Sequence, residues 1–140
     1  MTTAIDTNVI VALWDAEDTL HRRARAALDK AFNEGTLAIS GAAYAELMAG
    51  PGRTEAFVDG FCQETGIAVE WEFGEKVWRA AGTAFQGYTA RRRKQKGGEP
   101  RRILADFLIG AHAIVNRYKL LTLDAGIYHA SFPKLAIATI

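Results

Sequence analysis

Asp6 and Asp124 stand at equivalent places in the sequence, each where a short apolar run gives way to a helical pattern. In an open parallel sheet, ligands collect beyond the carboxyl ends of the strands. Two carboxylates at such ends would therefore meet at one edge of the sheet. Each would also serve as a plain helix N-cap, and that alternative stays open here. Asp106 interrupts Ile103-Leu104-Ala105-Asp106-Phe107-Leu108-Ile109-Gly110-Ala111, a segment apolar almost all round. A charge on a buried helix is costly unless it is paired, hydrogen-bonded or metal-bound. The alternative there is an intrahelical pair with Arg102. Gly110 and Ala113, at helical spacing from Asp106, leave room for something to approach that face closely. Glu46, in Ala42-Ala43-Tyr44-Ala45-Glu46-Leu47-Met48, reads by itself as a solvated helix residue. Carboxylate oxygens gathered without imidazole or thiolate select hard cations, Mg²⁺ or Mn²⁺ rather than zinc.

The elements that must position these groups alternate. Thr3 to Asp6 has strand character, and a helix is expected from Val9 to Trp14. A second helix runs from Asp18 to Phe32, with Leu20, Ala24, Ala27, Leu28 and Ala31 on its apolar face. Leu37 to Ile39 is a brief strand. Ser40 is suited to cap a helix from Gly41 to Ala49, closed by Gly50-Pro51-Gly52. Further helices are expected at about Arg53 to Thr65 and Gly74 to Arg92, separated by a strand from Ile67 to Trp71. The longer one places Val77, Ala81, Ala84, Phe85 and Tyr88 on one side. Pro100 fits the first turn of a helix from Arg101 to Tyr118. A strand from Lys119 to Leu123, a short helix after Asp124 and a last strand from Leu135 to Ala138 complete the chain. This alternation implies an α/β fold, a parallel sheet covered on both faces with right-handed crossovers.

At 140 residues, without a linker or an internal repeat, the expectation is one domain over residues 1–140. The single cysteine, Cys62, excludes an internal disulfide framework and a cysteine-based zinc site. No apolar run approaches the roughly 20 residues of a membrane helix. The N-terminus shows no basic region followed by an apolar stretch, so a cytoplasmic protein without a signal peptide is expected. The net charge of +1 neither favours nor disfavours a nucleic-acid partner.

Taken together, Ile5-Asp6-Thr7-Asn8-Val9, Tyr44-Ala45-Glu46-Leu47, Ala105 to Ala111 and Leu121-Thr122-Leu123-Asp124 resemble the PIN-domain nucleases. In length and motif order the chain is most similar to toxin ribonucleases of the VapBC toxin–antitoxin type, and the resemblance spans essentially all of it. It implies a Rossmann-like three-layer α/β/α sandwich around a central parallel sheet. It implies an acidic pocket of Asp6, Glu46, Asp106 and Asp124 binding one or two Mg²⁺ or Mn²⁺ ions, with Asn8 and Thr122 as accompanying polar positions that orient ligands or water. The activity it implies is hydrolysis of RNA phosphodiesters to 5′-phosphate and 3′-hydroxyl ends. The partners it implies are a cognate VapB-type antitoxin and a second copy of the chain in a homodimer. All four acidic positions of the pattern are filled.

Arg91, Arg92, Arg93, Lys94, Lys96, Arg101 and Arg102 concentrate positive charge around Gly97-Gly98. They read either as a solvated surface or as groups that hold RNA phosphates beside the acidic residues. His21, His112 and His129 lack metal-ligand spacing and are expected to pack rather than ligate. Cys62 is expected in the core, and Trp14, Trp71, Trp78 and the phenylalanines are likewise expected to be core residues rather than RNA-stacking platforms. Two competing readings stay open. One is a non-catalytic RNA- or protein-binding domain using the basic segment. The other is a magnesium-dependent phosphatase with Asp6 as nucleophile, weakened by Asn8 standing where that chemistry wants a second aspartate.

Overall fold

The computed structural model describes residues 1–95 and 103–140, with Thr139 described through its backbone. The elements run β1 (Thr2–Ile5), α1 (Thr7–Trp14), α2 (His21–Glu34), β2 (Thr36–Ser40), α3 (Gly41–Met48), α4 (Glu55–Thr65), β3 (Ile67–Glu70), α5 (Gly74–Lys94), α6 (Leu104–Val115), β4 (Lys119–Thr122), α7 (Ala125–Ser131) and β5 (Ile137–Thr139). The sheet order is β3-β2-β1-β4-β5, and every pairing is parallel. Helices cover both faces, giving a three-layer α/β/α sandwich.

β1 is central because its residues are apolar on both faces: Ala4 and Ile5 are almost fully buried. It pairs with β2 on one side and β4 on the other, Ala4 lying opposite both Ala38 and Leu120. Connections leave β1 toward β2 and β3, then jump back across it to β4 and β5. Right-handed crossovers in opposite directions put their helices on opposite faces, and a crevice opens at the carboxyl edge where the direction reverses. That crevice lies between the ends of β1 and β4.

The helices form where the apolar spacing places them. α2 buries Ala24, Leu28 and Ala31; α5 buries Val77, Ala81, Ala84 and Tyr88. α5 packs along α6, with Phe85 stacked on Phe107 at 4.6 Å between ring centroids. Ser40 caps α3 by accepting from the Ala43 N–H at 3.2 Å, as its type suggests. α2 begins at His21 rather than at Asp18, whose carboxylate accepts from the Leu20 N–H at 2.7 Å and forms a turn before the helix. The last strand is Ile137–Thr139, shifted toward the C-terminus from Leu135–Ala138, because Leu135 packs into the core instead. At Gly110 the neighbour is the Phe132 ring, which a Cβ would strike.

The expectation that the tryptophans and phenylalanines are core residues is corrected at Trp71, Trp78, Phe32 and Phe57, all of which are exposed. Trp71 and Trp78 are 61% and 52% exposed, Trp71 resting edge-on against Tyr44 and Trp78 against Phe73. Trp71 follows β3 directly and Trp78 lies in the second turn of α5 on its solvent side, where a large ring is covered on one flank only. Cys62 is buried, as expected. Among the described residues no helix is long and apolar enough to cross a membrane.

Candidate functional site

Asp6 is the first residue beyond β1, and its backbone N–H extends the ladder by donating to the Leu121 carbonyl at 2.9 Å. Although it precedes α1, its side chain makes no capping hydrogen bond. The carboxylate instead accepts from the Thr122 hydroxyl at 2.7 Å. It is only 5% exposed. Burial pushes its pKa from 3.8 up to about 6. The Thr122 bond and the attraction of the Tyr128 hydroxyl oppose that rise, while the negative charges of Asp106 and Glu46 add to it. The last two influences mean that the three carboxylates lie within electrostatic reach of one another.

Thr122 closes β4 and is completely buried. Besides donating to Asp6, its oxygen accepts from the Asp124 N–H at 2.9 Å. One hydroxyl therefore ties the ends of both strands. Asn8 performs a matching task from α1, its side-chain oxygen accepting from the Leu123 N–H at 3.2 Å. That bond engages Asn8 in holding the β4 turn, which leaves it poorly suited to act as an acid for a phosphatase.

Glu46 projects from α3 and accepts from the Thr7 hydroxyl at 2.7 Å. Its pKa is raised, first by desolvation and then by the charge of Asp106, against the lowering effect of Thr7. Asp106 lies in the first turn of α6, where the helix dipole favours a carboxylate. Arg102, its proposed intrahelical partner, lies outside the described residues. Asp124 precedes α7 without capping it. Neither carboxylate caps the helix that follows it, and both line the crevice.

Asp6, Glu46, Asp106 and Asp124 line one cavity of about 330 Å³, joined by Thr7, Asn8, Val11 and Tyr128. A cavity of similar size, about 340 Å³, lies between α2 and α4 and has a mainly apolar floor that includes Leu28, Leu37 and Ile67. It holds none of these four carboxylates. Among the described residues, no three acidic, histidine or cysteine side chains stand drawn together tightly enough to grasp an ion. Burial is the main cause of the raised pKa of Asp6 and Glu46, and the negative charge of Asp106 adds to it at both. The donor set, four carboxylates with no imidazole or thiol in the cavity, fits a hard divalent cation.

Three lining residues, Thr7, Val11 and Tyr128, escaped the sequence reading, and two of them are polar. Thr7 was visible only as part of the turn after Asp6, yet it holds Glu46. Tyr128 follows Asp124 by four residues, one helical turn, and that spacing was the available signal. The expected packing roles of the histidines hold for His112, which is 1% exposed and bonded to Glu70 at 2.8 Å, while Tyr118 donates to the other Glu70 oxygen at 2.8 Å. His21 approaches the Ala12 carbonyl at 3.1 Å.

Of the basic segment, Arg91 to Lys94 form the last turn of α5. α5 and α6 run antiparallel, with Tyr88 near Phe107 and Phe73 near His112. The cationic end of α5 is therefore at the Asp106 end of α6. Arg91 also reaches Ser131 at the end of α7, at 3.4 Å. Lys96, Arg101 and Arg102 lie outside the described residues.

The family profile of the PIN domain matches residues 3–133. No curated protein matches in sequence. Several solved structures share the fold. VapBC2 from Rickettsia felis, bound to a DNA fragment from its promoter, is 21% identical with a TM-score of 0.68, covering 100% of this chain and 99% of that one. A toxin–antitoxin complex from Klebsiella pneumoniae is 20% identical with a TM-score of 0.68, covering 98% and 96%. VapBC-1 from nontypeable Haemophilus influenzae is 18% identical with a TM-score of 0.70, covering 99% and 98%.

Proposed function

This chain belongs to the PIN-domain family, and we propose from that premise that it is a metal-dependent endoribonuclease, the toxin of a toxin–antitoxin pair. The observation that carries the reading is the single cavity on which Asp6, Glu46, Asp106 and Asp124 converge from four separate elements. Asp6 and Asp106 would hold Mg²⁺ or Mn²⁺, with Glu46 and Asp124 completing an acidic cradle for one or two ions. Bound there, a divalent ion supplies an activated water and neutralises charge on the phosphodiester.

The chain's own residues do the rest. Thr122 and Thr7 fix the orientation of Asp6 and Glu46, so that oxygen lone pairs face the cavity rather than solvent. Asn8 and Thr122 hold the turn that carries Asp124. Arg91 to Lys94, with Lys96, Arg101 and Arg102, would hold phosphates flanking the cleaved bond. Water oxygen attacks phosphorus, the bond to the 3′ oxygen breaks, and that oxygen leaves with a proton, giving 5′-phosphate and 3′-hydroxyl ends.

Assembly with a VapB-type antitoxin is supported by the complexes in which the structural neighbours were solved. A homodimer acting in the cytoplasm, where RNA substrates are present, completes the proposal. Incubating the purified chain with total cellular RNA, in Mg²⁺ or in EDTA, and mapping new 5′ ends tests it. New ends in Mg²⁺ alone, absent with Asp106→Asn, are expected. RNA binding without new ends would make it a non-catalytic binding domain.

A further inference from the structure

Tyr128 is 1% exposed, and its ring lies against the acidic cavity. Among the described residues its buried hydroxyl, like Trp14 Nε1 alone, makes no hydrogen bond of good geometry, yet it stands close enough to the Asp6 carboxylate for hydrogen bonding to lower that group's pKa. The Trp14 ring sits beneath the Arg53 guanidinium at 4.6 Å and does not line the acidic cavity. A buried hydroxyl without a partner is costly, and a phenylalanine would fill the same volume without that cost. The groups that share the cavity with this hydroxyl are chiefly carboxylates, which accept and do not donate.

We propose that Tyr128 is a positioning residue whose hydroxyl donates to the Asp6 carboxylate when the cavity is loaded, holding it from the side opposite Thr122. A carboxylate has about four lone-pair sites. Thr122 occupies one, Tyr128 takes a second, and those remaining face a divalent cation. The attraction between Asp6 and Tyr128 is already felt in the lowering it exerts on Asp6. Burial, and then the charges of Asp6 and Asp106, push the phenol far up, so it remains a protonated donor. Phe132, packed over Gly110 at the end of α7, anchors the helix that carries it.

This inference rests on the metal-binding reading of the cavity, so its test measures the metal alone. Mn²⁺ is titrated calorimetrically into EDTA-stripped wild type and Tyr128→Phe, and the near-ultraviolet tyrosine difference spectrum is recorded at saturation. Tyr128→Phe should keep the wild-type circular dichroism and bind Mn²⁺ about 10- to 100-fold more weakly. Wild type should show a tyrosine difference on loading that the variant lacks, since Tyr44, Tyr88 and Tyr118 do not line this cavity. Equal Mn²⁺ affinity in the two proteins would overturn the role of Tyr128 while leaving the metal site standing. If the variant does not fold, a wild-type spectrum unchanged at Mn²⁺ saturation overturns it equally. Absence of Mn²⁺ binding to wild type would remove both readings.

Discussion

Thr122 donates its hydroxyl to Asp6 at 2.7 Å, across 116 residues of sequence. The same oxygen accepts from the Asp124 backbone, so one buried side chain sets the relation between two strand ends. Because it stabilises the ionised form, the bond holds Asp6 below the pKa that burial alone would impose.

Thr122→Val preserves shape and removes the hydroxyl. Asp6 should then titrate higher and lose its fixed orientation. Cleavage is expected to fall about 10- to 100-fold, and the acidic limb of the pH–rate profile should move to higher pH. An unmoved limb would separate Thr122 from Asp6 function.

Asp6→Asn and Asp106→Asn should each reduce RNA cleavage by on the order of a hundredfold or more, since charge stabilisation in the transition state is lost. Both should remain folded by circular dichroism. Folded variants cutting at the wild-type rate would refute the assignment.

Metal-free stability should depend on pH through Asp6. Its folded pKa of about 6 exceeds the ordinary 3.8. A raised carboxylate favours the fold when protonated, so this contribution is full below the unfolded value and is lost as pH rises through about 6. The gap corresponds to at most about 3 kcal/mol. Asp6→Asn should therefore melt higher than wild type at pH 7.5 without metal, the difference shrinking toward pH 4. Thermal scans across that range check the sign.

Mn²⁺ should stabilise wild type by roughly 1.4 kcal/mol at ten times its Kd. The shift should vanish in Asp106→Asn. A wild-type melting point indifferent to millimolar Mn²⁺ would count against an ion in the cavity.

Arg92→Ala with Arg93→Ala should weaken RNA binding and flatten its dependence on salt. Each lost contact to single-stranded RNA removes roughly 0.7 from the logarithmic slope. Filter binding at several salt concentrations reads this directly, and an unchanged slope would detach these residues from RNA.

Much of the fold was legible because the local signals agree: Ser40 caps where its type suggests, and the apolar spacing of α5 matches its buried face. Asp106 stood out because charge is conspicuous in an apolar helix. The adjacency of β1 and β4 was less accessible, since parallel pairing leaves no turn between partners to mark it. Side-chain direction was the other hidden quantity. Whether Asp6 capped its helix depended on Thr122, and the role of Thr7 depended on Glu46 arriving from another helix. Trp71 and Trp78 show the converse: large rings suggest a core, but their positions at or near element ends leave one flank in water.

Because β1 needs β4 beside it, the ribosome must deliver the chain past Asp124 before the acidic crevice exists. A nascent chain that has passed Asp6 and Glu46 still lacks the strand that aligns them. A chain truncated before Thr122 lacks both the hydroxyl that holds Asp6 and the carboxylate of Asp124.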